Sequence, residues 1–122
     1  MAIHKRDKFS NNLNQIATLL KVMSHPARLE IIRLLSNSRR CICKDLVSLL
    51  PLSQATVSQH LRELEKHSLI KRESVGTKSV FSLNHKTMLK IDKLFSSYQN
   101  KVFGNYKKRI MGGCNYKKKK TL

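Results

Sequence analysis

The most informative segment of this sequence is Ser53-Gln54-Ala55-Thr56-Val57-Ser58-Gln59-His60-Leu61-Arg62-Glu63-Leu64. Val57, Leu61 and Leu64 recur at helical spacing and share one face, which predicts an amphipathic helix packed against a core. Ser53, directly after the turn Leu50-Pro51-Leu52, is a good N-cap because its side-chain oxygen can accept an N–H of the first helical turn. We therefore expect a helix from Ser53 to about His67.

The opposite face of this helix carries Ala55, Gln59, Arg62 and Lys66, and its first turns contain no acidic residue. The helix dipole and the free N–H groups attract anions to such an N-terminus. One interpretation is the second helix of a helix-turn-helix, which enters a groove of DNA. The other is an ordinary amphipathic helix with a solvated polar face. The sequence on either side of the helix is needed to distinguish the two interpretations.

The composition indicates a polyanionic partner. The 122 residues include 25 Lys or Arg and seven Asp or Glu, which gives a formal charge of +18. Seven of the basic residues lie at 107–109 and 117–120, and without them the chain still carries +11. Such a charge favours nucleic acid or an anionic membrane surface. The length allows one domain with a modest core.

Three helices are predicted before the central one. The first has an apolar stripe that steps by four and three residues, formed by Phe9, Leu13, Ile16, Leu20 and Met23. The second runs from about Pro26 to Leu35, with the proline at its first position. A polar turn at 36–40 leads to a third helix from about Ile42 to Leu50, which Pro51 ends.

After the central helix the apolar period changes from helical to alternating. Residues 69–74 and 79–83 are predicted to pair as strands, and Gly76 in the connecting turn can adopt φ > 0. A last helix begins at about His85 and passes Tyr98, with an apolar stripe typical of a helix–helix seam, formed by Met88, Ile91, Phe95, Tyr98 and Val102.

The predicted fold class is therefore mainly α with a small β-hairpin wing, a winged helix-turn-helix of order α-α-α-α-β-β-α. The stripes on the first and last helices exceed what so small a core needs, so we expect a homodimer that uses both; packing of both stripes within one subunit is the alternative. Residues 1–106 are assigned to the DNA-binding and dimerisation domain, and 107–122 to a basic, disordered tail.

Two segments of this sequence resemble the ArsR/SmtB family. They are Ser24-His25-Pro26-Ala27-Arg28-Leu29-Glu30-Ile31-Ile32-Arg33-Leu34-Leu35 and Leu52-Ser53-Gln54-Ala55-Thr56-Val57-Ser58-Gln59-His60-Leu61, followed by Leu64 and Leu69-Ile70. The resemblance covers about residues 9–100. It implies a dimeric winged-helix transcriptional repressor that pairs through its first and last helices and leaves its DNA when an effector binds.

The expected partner is double-stranded DNA with an inverted-repeat operator. The contacts predicted on the central helix are Ser53, Gln54, Ala55, Thr56, Ser58, Gln59, His60 and Arg62, and those on the wing are Lys71, Arg72, Thr77 and Lys78. Gln59 is the best candidate for reading a base, since an amide can pair bidentately with adenine. His60 lies toward the core side of its helix, and a hydrogen-bonding role at the buried edge is favoured over base reading.

The cysteines leave two interpretations open. Arsenic-sensing members of the family carry Cys-x-Cys directly before Asp-Leu, whereas here Lys44 follows Cys41-Ile42-Cys43 and shifts the pair by one residue. On a regular helix the two thiols would diverge by about 200°. They either bind As(III), Sb(III) or another thiophilic effector, with Cys114 as a third sulfur, or they are small apolar residues. The zinc site of other relatives is not expected, because Asp92 has no histidine near it and His85 stands alone.

Other classes of function are less well supported. No nucleophile–base pair, phosphate-binding glycine loop or carboxylate dyad is evident, so we do not expect an enzyme. A non-specific architectural protein is the main alternative, although the Gln/Ser/Thr face argues against it. A membrane module that uses the tail lysines lacks an acyl site or an apolar anchor. A bacterial-type cytoplasm is the expected location, with the protein on the nucleoid when it binds DNA.

Overall fold

The computed structural model describes residues 8–38 and 40–111, which form five helices and three strands. The predicted order of helices and wing is confirmed, with one extra short strand before the third helix. In chain order the elements are α1 (Asn11–Met23), α2 (Pro26–Asn37), β1 (Cys41–Ile42), α3 (Cys43–Leu49), α4 (Gln54–Lys66), β2 (Ile70–Val75), β3 (Lys78–Leu83) and α5 (His85–Met111).

The helix starts follow from local capping. Ser10 caps α1, since its side chain accepts a hydrogen bond from the N–H of Leu13. Pro26 lies at the start of α2, where a missing N–H costs nothing, and the His25 ring caps the same helix. Ser53 caps α4, as its position after the turn predicts.

The core lies between α2, α3, α4 and the small sheet. The largest side chains with almost no exposure are Val57, Leu61 and Leu64 of α4 together with Ile31, Leu46, Leu69 and Ile70. The apolar face predicted for α4 is therefore its buried face. Burial of a side chain of this kind contributes about 1.5–3 kcal/mol, so the core fixes the rotation of α4 about its axis.

The sheet is antiparallel, with β3 between β1 and β2. Val75 pairs with Lys78, which makes the wing turn tighter than the predicted strand ends, and Gly76 has φ +63° as expected. The predicted start of the third helix at Ile42 is wrong by one residue. Cys41 and Ile42 instead pair with Phe81 and Val80 of β3, and α3 begins at Cys43.

Helix α5 is longer than the sequence predicts. It continues to Met111, so residues 107–111 are helical, and the prediction of a disordered tail from residue 107 is wrong for these five. The remaining tail, with Cys114 and Lys117 to Lys120, lies outside the described residues. None of the helices within 8–38 and 40–111 has the length and apolarity required to cross a bilayer.

Candidate nucleic-acid interface

The N-terminus of α4 is held by two hydroxyl groups. The Ser53 Oγ accepts the N–H of Thr56 at 3.3 Å and lies 2.9 Å from the Thr56 Oγ1. Thr56 is half-buried, so its hydroxyl serves the helix cap first. The first turn of α4 contains no acidic residue, which leaves the positive end of the helix dipole unopposed toward solvent.

The exposed face of α4 presents most of the predicted base and phosphate contacts. Gln54, Ala55, Gln59 and Arg62 are all exposed, whereas the opposite side of the helix is buried in the core. Ser58 differs, because it is half-buried and its hydroxyl lies 3.5 Å from the Cys43 Sγ. The surface that remains can donate and accept hydrogen bonds through two amides and can add one guanidinium charge.

His60 does not belong to this exposed face. The residue is only 8 % exposed, and its Nδ1 accepts a hydrogen bond from the Arg28 Nε at 3.1 Å. The inclusion of His60 among the DNA contacts is therefore corrected, while the expected hydrogen-bonding role at the buried edge agrees with the structure. The partner, Arg28, lies 32 residues earlier on α2, and sequence patterns do not reveal such a pairing.

A second imidazole lies against the first. The ring centroids of His25 and His60 are 4.5 Å apart, and the His25 Nδ1 accepts the N–H of Ala27 at 3.0 Å. Burial lowers the pKa of His60 below its ordinary value, and the neighbouring charges of His25 and Arg28 lower it further. The His60 ring is therefore held preferentially in its neutral form.

The wing carries its predicted basic residues at the surface. Lys71, Arg72, Thr77 and Lys78 are all exposed. Arg72 is already engaged, since its Nε lies 3.2 Å from the Glu65 Oε2 of α4 and its Nη1 donates to the Ser79 Oγ at 3.4 Å. This ion pair fastens the wing to α4. Within the described residues, Lys71 and Lys78 form no ion pair, so both charges are available to phosphates.

The two cysteines among the described residues lie on different elements. Cys41 is buried in β1, whereas Cys43 is half-buried at the first position of α3. The divergence of about 200° expected for a regular helix therefore does not apply to this pair. No group of three or more His, Cys, Asp or Glu side chains within 8–38 and 40–111 could hold a metal ion. Within the described residues, Cys41 and Cys43 are the two thiols that could bind a thiophilic ligand.

The apolar stripes of α1 and α5 remain largely open in the single chain. The exposed fractions of Phe9, Leu13, Leu20, Phe95, Tyr98 and Val102 lie between 36 % and 60 %. Met88 and Ile91 behave differently, because they are half-buried and pack against the core of their own chain. The two helices contact each other, and Leu13, Ile16 and Tyr98 line one groove between them.

Comparisons with known proteins agree with this architecture. The model of the bacterial regulatory protein arsR family matches residues 25–72, from the start of α2 into the wing. An arsenical resistance operon repressor of Staphylococcus xylosus is 41 % identical over 71 residues, which are 58 % of this chain and 67 % of that protein.

The transcriptional repressor PagR of Bacillus anthracis is 34 % identical over 96 residues, which are 79 % of this chain and 94 % of PagR. Its crystal structure superposes with a TM-score of 0.57 and 35 % identity, over 68 % of this chain and 94 % of PagR. A homodimeric winged helix-turn-helix DNA-binding domain from Mycobacterium bovis has a TM-score of 0.57 and 22 % identity over 71 % of this chain and 77 % of that domain, and shows the fold alone. The chain therefore belongs to the ArsR family and is a DNA-binding transcriptional regulator.

Proposed function

We propose that this chain is a homodimeric repressor that binds an inverted-repeat operator with α4 in the major groove. The observation that carries the proposal is the exposed face of α4, where Gln54, Gln59 and Arg62 stand together beside an unopposed helix N-terminus. Amides read adenine and guanidinium groups read guanine or bind phosphate. The basic wing beside α4 would add contacts to the sugar–phosphate backbone of the DNA. The DNA-bound protein would then lie on the nucleoid of a bacterial cytoplasm.

The dimer is supported by the open apolar surface on α1 and α5. Phe95, Tyr98 and Val102 expose aromatic and aliphatic area that a second copy of the same seam would cover. A twofold axis through this surface would place two α4 helices on one side of the dimer. Their half-site centres would then lie about 10 base pairs apart, or a multiple of that, in an inverted repeat.

A thiophilic effector is a second candidate function, and the contact between Cys43 and Ser58 favours it. Because the Cys43 Sγ lies 3.5 Å from a side chain of α4, a ligand on this sulfur would act directly on the DNA-binding helix. Thiolates are the preferred ligands of soft ions such as As(III) and Sb(III). Release of DNA by arsenite in the wild type, lost in Cys43→Ser and Cys41→Ser, is the expected result. Absence of release in the wild type would assign both cysteines to the structure.

Selection of bound duplexes from a random pool tests the proposed function directly. The expected result is an enriched palindrome with the half-site spacing given above. Repetition of the selection with arsenite or an oxidant tests the effector in the same assay. Recovery of unrelated sequences, with steep salt dependence and no consensus, would instead support the architectural alternative.

A further inference from the structure

One guanidinium group connects three helices at the back of α4. Arg28, on α2, donates from its Nε to the His60 Nδ1 of α4 at 3.1 Å. It also donates from its Nη1 to the Val22 carbonyl oxygen at 3.0 Å, which lies in the last turn of α1. The last carbonyls of a helix lack partners within the helix, so the second bond satisfies one of them. Arg28 therefore fixes α4 relative to both α1 and α2.

The hydrogen bond from Arg28 defines the tautomer of the neutral His60 ring. A ring nitrogen that accepts a bond cannot carry a proton, so the neutral His60 has its proton on Nε2. His60 is buried and therefore has little water to replace a lost partner. The titratable and charged groups that act on it are His25 and Arg28, and both are cations when protonated.

Protonation of the His60 Nδ1 would undo this arrangement. The nitrogen would change from an acceptor to a donor and would face the N–H of Arg28, so the bond would be lost. The new cation would also lie beside Arg28 and 4.5 Å from the ring centroid of His25. The lowered pKa of His60 agrees with this unfavourable contact. A buried charge without a partner is costly, so the favoured response is movement of α4 away from α2.

We propose that Arg28 and His60 are positioning residues for α4, and that protonation of His60 releases α4 and lowers the selectivity of the protein for its operator. Gln59 is adjacent to His60 on α4, so a displacement of this segment changes where the base-reading amide points. Recognition of a base edge depends on bidentate geometry, whereas phosphate binding tolerates a shift. The loss should therefore concern selectivity more than total affinity. This inference rests on the proposed function of α4.

The test compares the wild type with His60→Asn and with His85→Asn, a control at the exposed first residue of α5. Asparagine offers an oxygen acceptor near the place of Nδ1 but does not titrate near neutral pH. The measured quantity is the ratio of the affinity for the selected duplex to that for a random duplex, at pH 7.5 and pH 5.0. Protonation of surface histidines strengthens binding to both duplexes and cancels in the ratio.

We expect the wild type and His85→Asn to lose at least about fivefold in this ratio at pH 5.0, the lower end of the typical coupling between two binding events. His60→Asn should keep its ratio at both pH values. Arg28→Lys, which cannot serve two acceptors in the same fork geometry, should have a low ratio already at pH 7.5. Identical pH profiles for the wild type and His60→Asn would overturn the proposal.

A readout without DNA separates this inference from the proposed function. In free protein, the backbone amide signals of 54–62 in a nitrogen–proton correlation spectrum should shift together as the pH falls from 7.5 to 5.0, and should not do so in His60→Asn. Coupled shifts without any selected operator would uphold the positioning role and refute the proposed function. Unchanged amide positions in the wild type would refute the positioning role alone.

Discussion

The protonation of His60 links one buried side chain to the stability of the fold. Its pKa lies below the ordinary value of 6.5 because of burial and of the charges of His25 and Arg28. Below pH 6.5 the unfolded chain binds a proton that the folded ring resists, so unfolding becomes more favourable. The stabilisation from the neutral ring is therefore present above pH 6.5 and is lost as the pH falls toward the lower pKa of the folded state.

The lowered pKa of His60 predicts a difference in stability between the wild type and His60→Asn. On lowering the pH from 7.5 to 5.0, the wild type should lose more free energy of unfolding than His60→Asn, because the variant has no proton to take up at this position. Urea unfolding followed by circular dichroism at both pH values measures the difference. His85→Asn, at an exposed position, should follow the wild type. An equal loss in the wild type and His60→Asn would contradict the assignment.

Lys78 and Arg72 of the wing should differ in their effect on DNA binding. Lys78 is free of ion pairs within the described residues, whereas Arg72 is held 3.2 Å from Glu65. Lys78→Ala should weaken binding to every duplex and lower the salt slope by about one per subunit. Arg72→Ala should lower the slope less, since Glu65 already offsets its charge. Affinities over a series of salt concentrations test this, and equal slopes for the two variants would contradict it.

The exposure of a side chain was predictable from the sequence where it depends only on which face of the helix is buried. Gln54, Gln59 and Arg62 are exposed because Val57 and Leu61 fix the opposite face in the core. The paired side chains were not predictable in the same way. Ser58 approaches Cys43 from 15 residues away, and Arg28 and His60 are separated by 32. Helical periodicity carries no information about such tertiary partners.

Among the helices and strands, the longer ones were predictable from the sequence and the shortest one was not. The helices and the wing have repeated apolar positions, and all of them are present in the structure. Strand β1 has only two residues and exists because it pairs with β3, so no local pattern indicates it. The arrangement of the candidate effector site was not predictable for the same reason, because Cys41 lies on this strand and Cys43 starts the helix that follows.

Helix α5 offers a test of its own extension. Gly104 interrupts the apolar pattern, yet the helix continues through it to Met111. A methyl group added at Gly104 would meet nothing within 4 Å. Gly104→Ala should therefore raise the free energy of unfolding by about 0.5–1 kcal/mol, through the lower entropy of the unfolded chain and better helix propensity. Urea unfolding of the variant measures this, and a destabilised variant would indicate that α5 does not pass through Gly104 as a regular helix.

For the molecule as a whole, the proposed homodimer depends on the apolar seam of α1 and α5. Phe95→Asp should place one charge from each copy in this seam and separate the dimer, because paired buried carboxylates have no compensating partner. Leu89→Asp is the matched control, since Leu89 is 63 % exposed on the same helix and lies outside the stripe. Sedimentation at tens of micromolar should give a dimer for the wild type and Leu89→Asp and a monomer for Phe95→Asp. A monomeric wild type would contradict the dimer.

The effect of Gln59→Ala on the affinities for two duplexes decides whether α4 reads bases. On the selected operator we expect a loss of about 1–3 kcal/mol per half-site and a relaxed preference at one position. On random DNA the affinity should hardly change, because Gln59 carries no charge. Lys78→Ala is the control and should weaken both duplexes alike. If Gln59→Ala weakens random DNA as much as the operator, α4 does not read bases and the protein binds by charge.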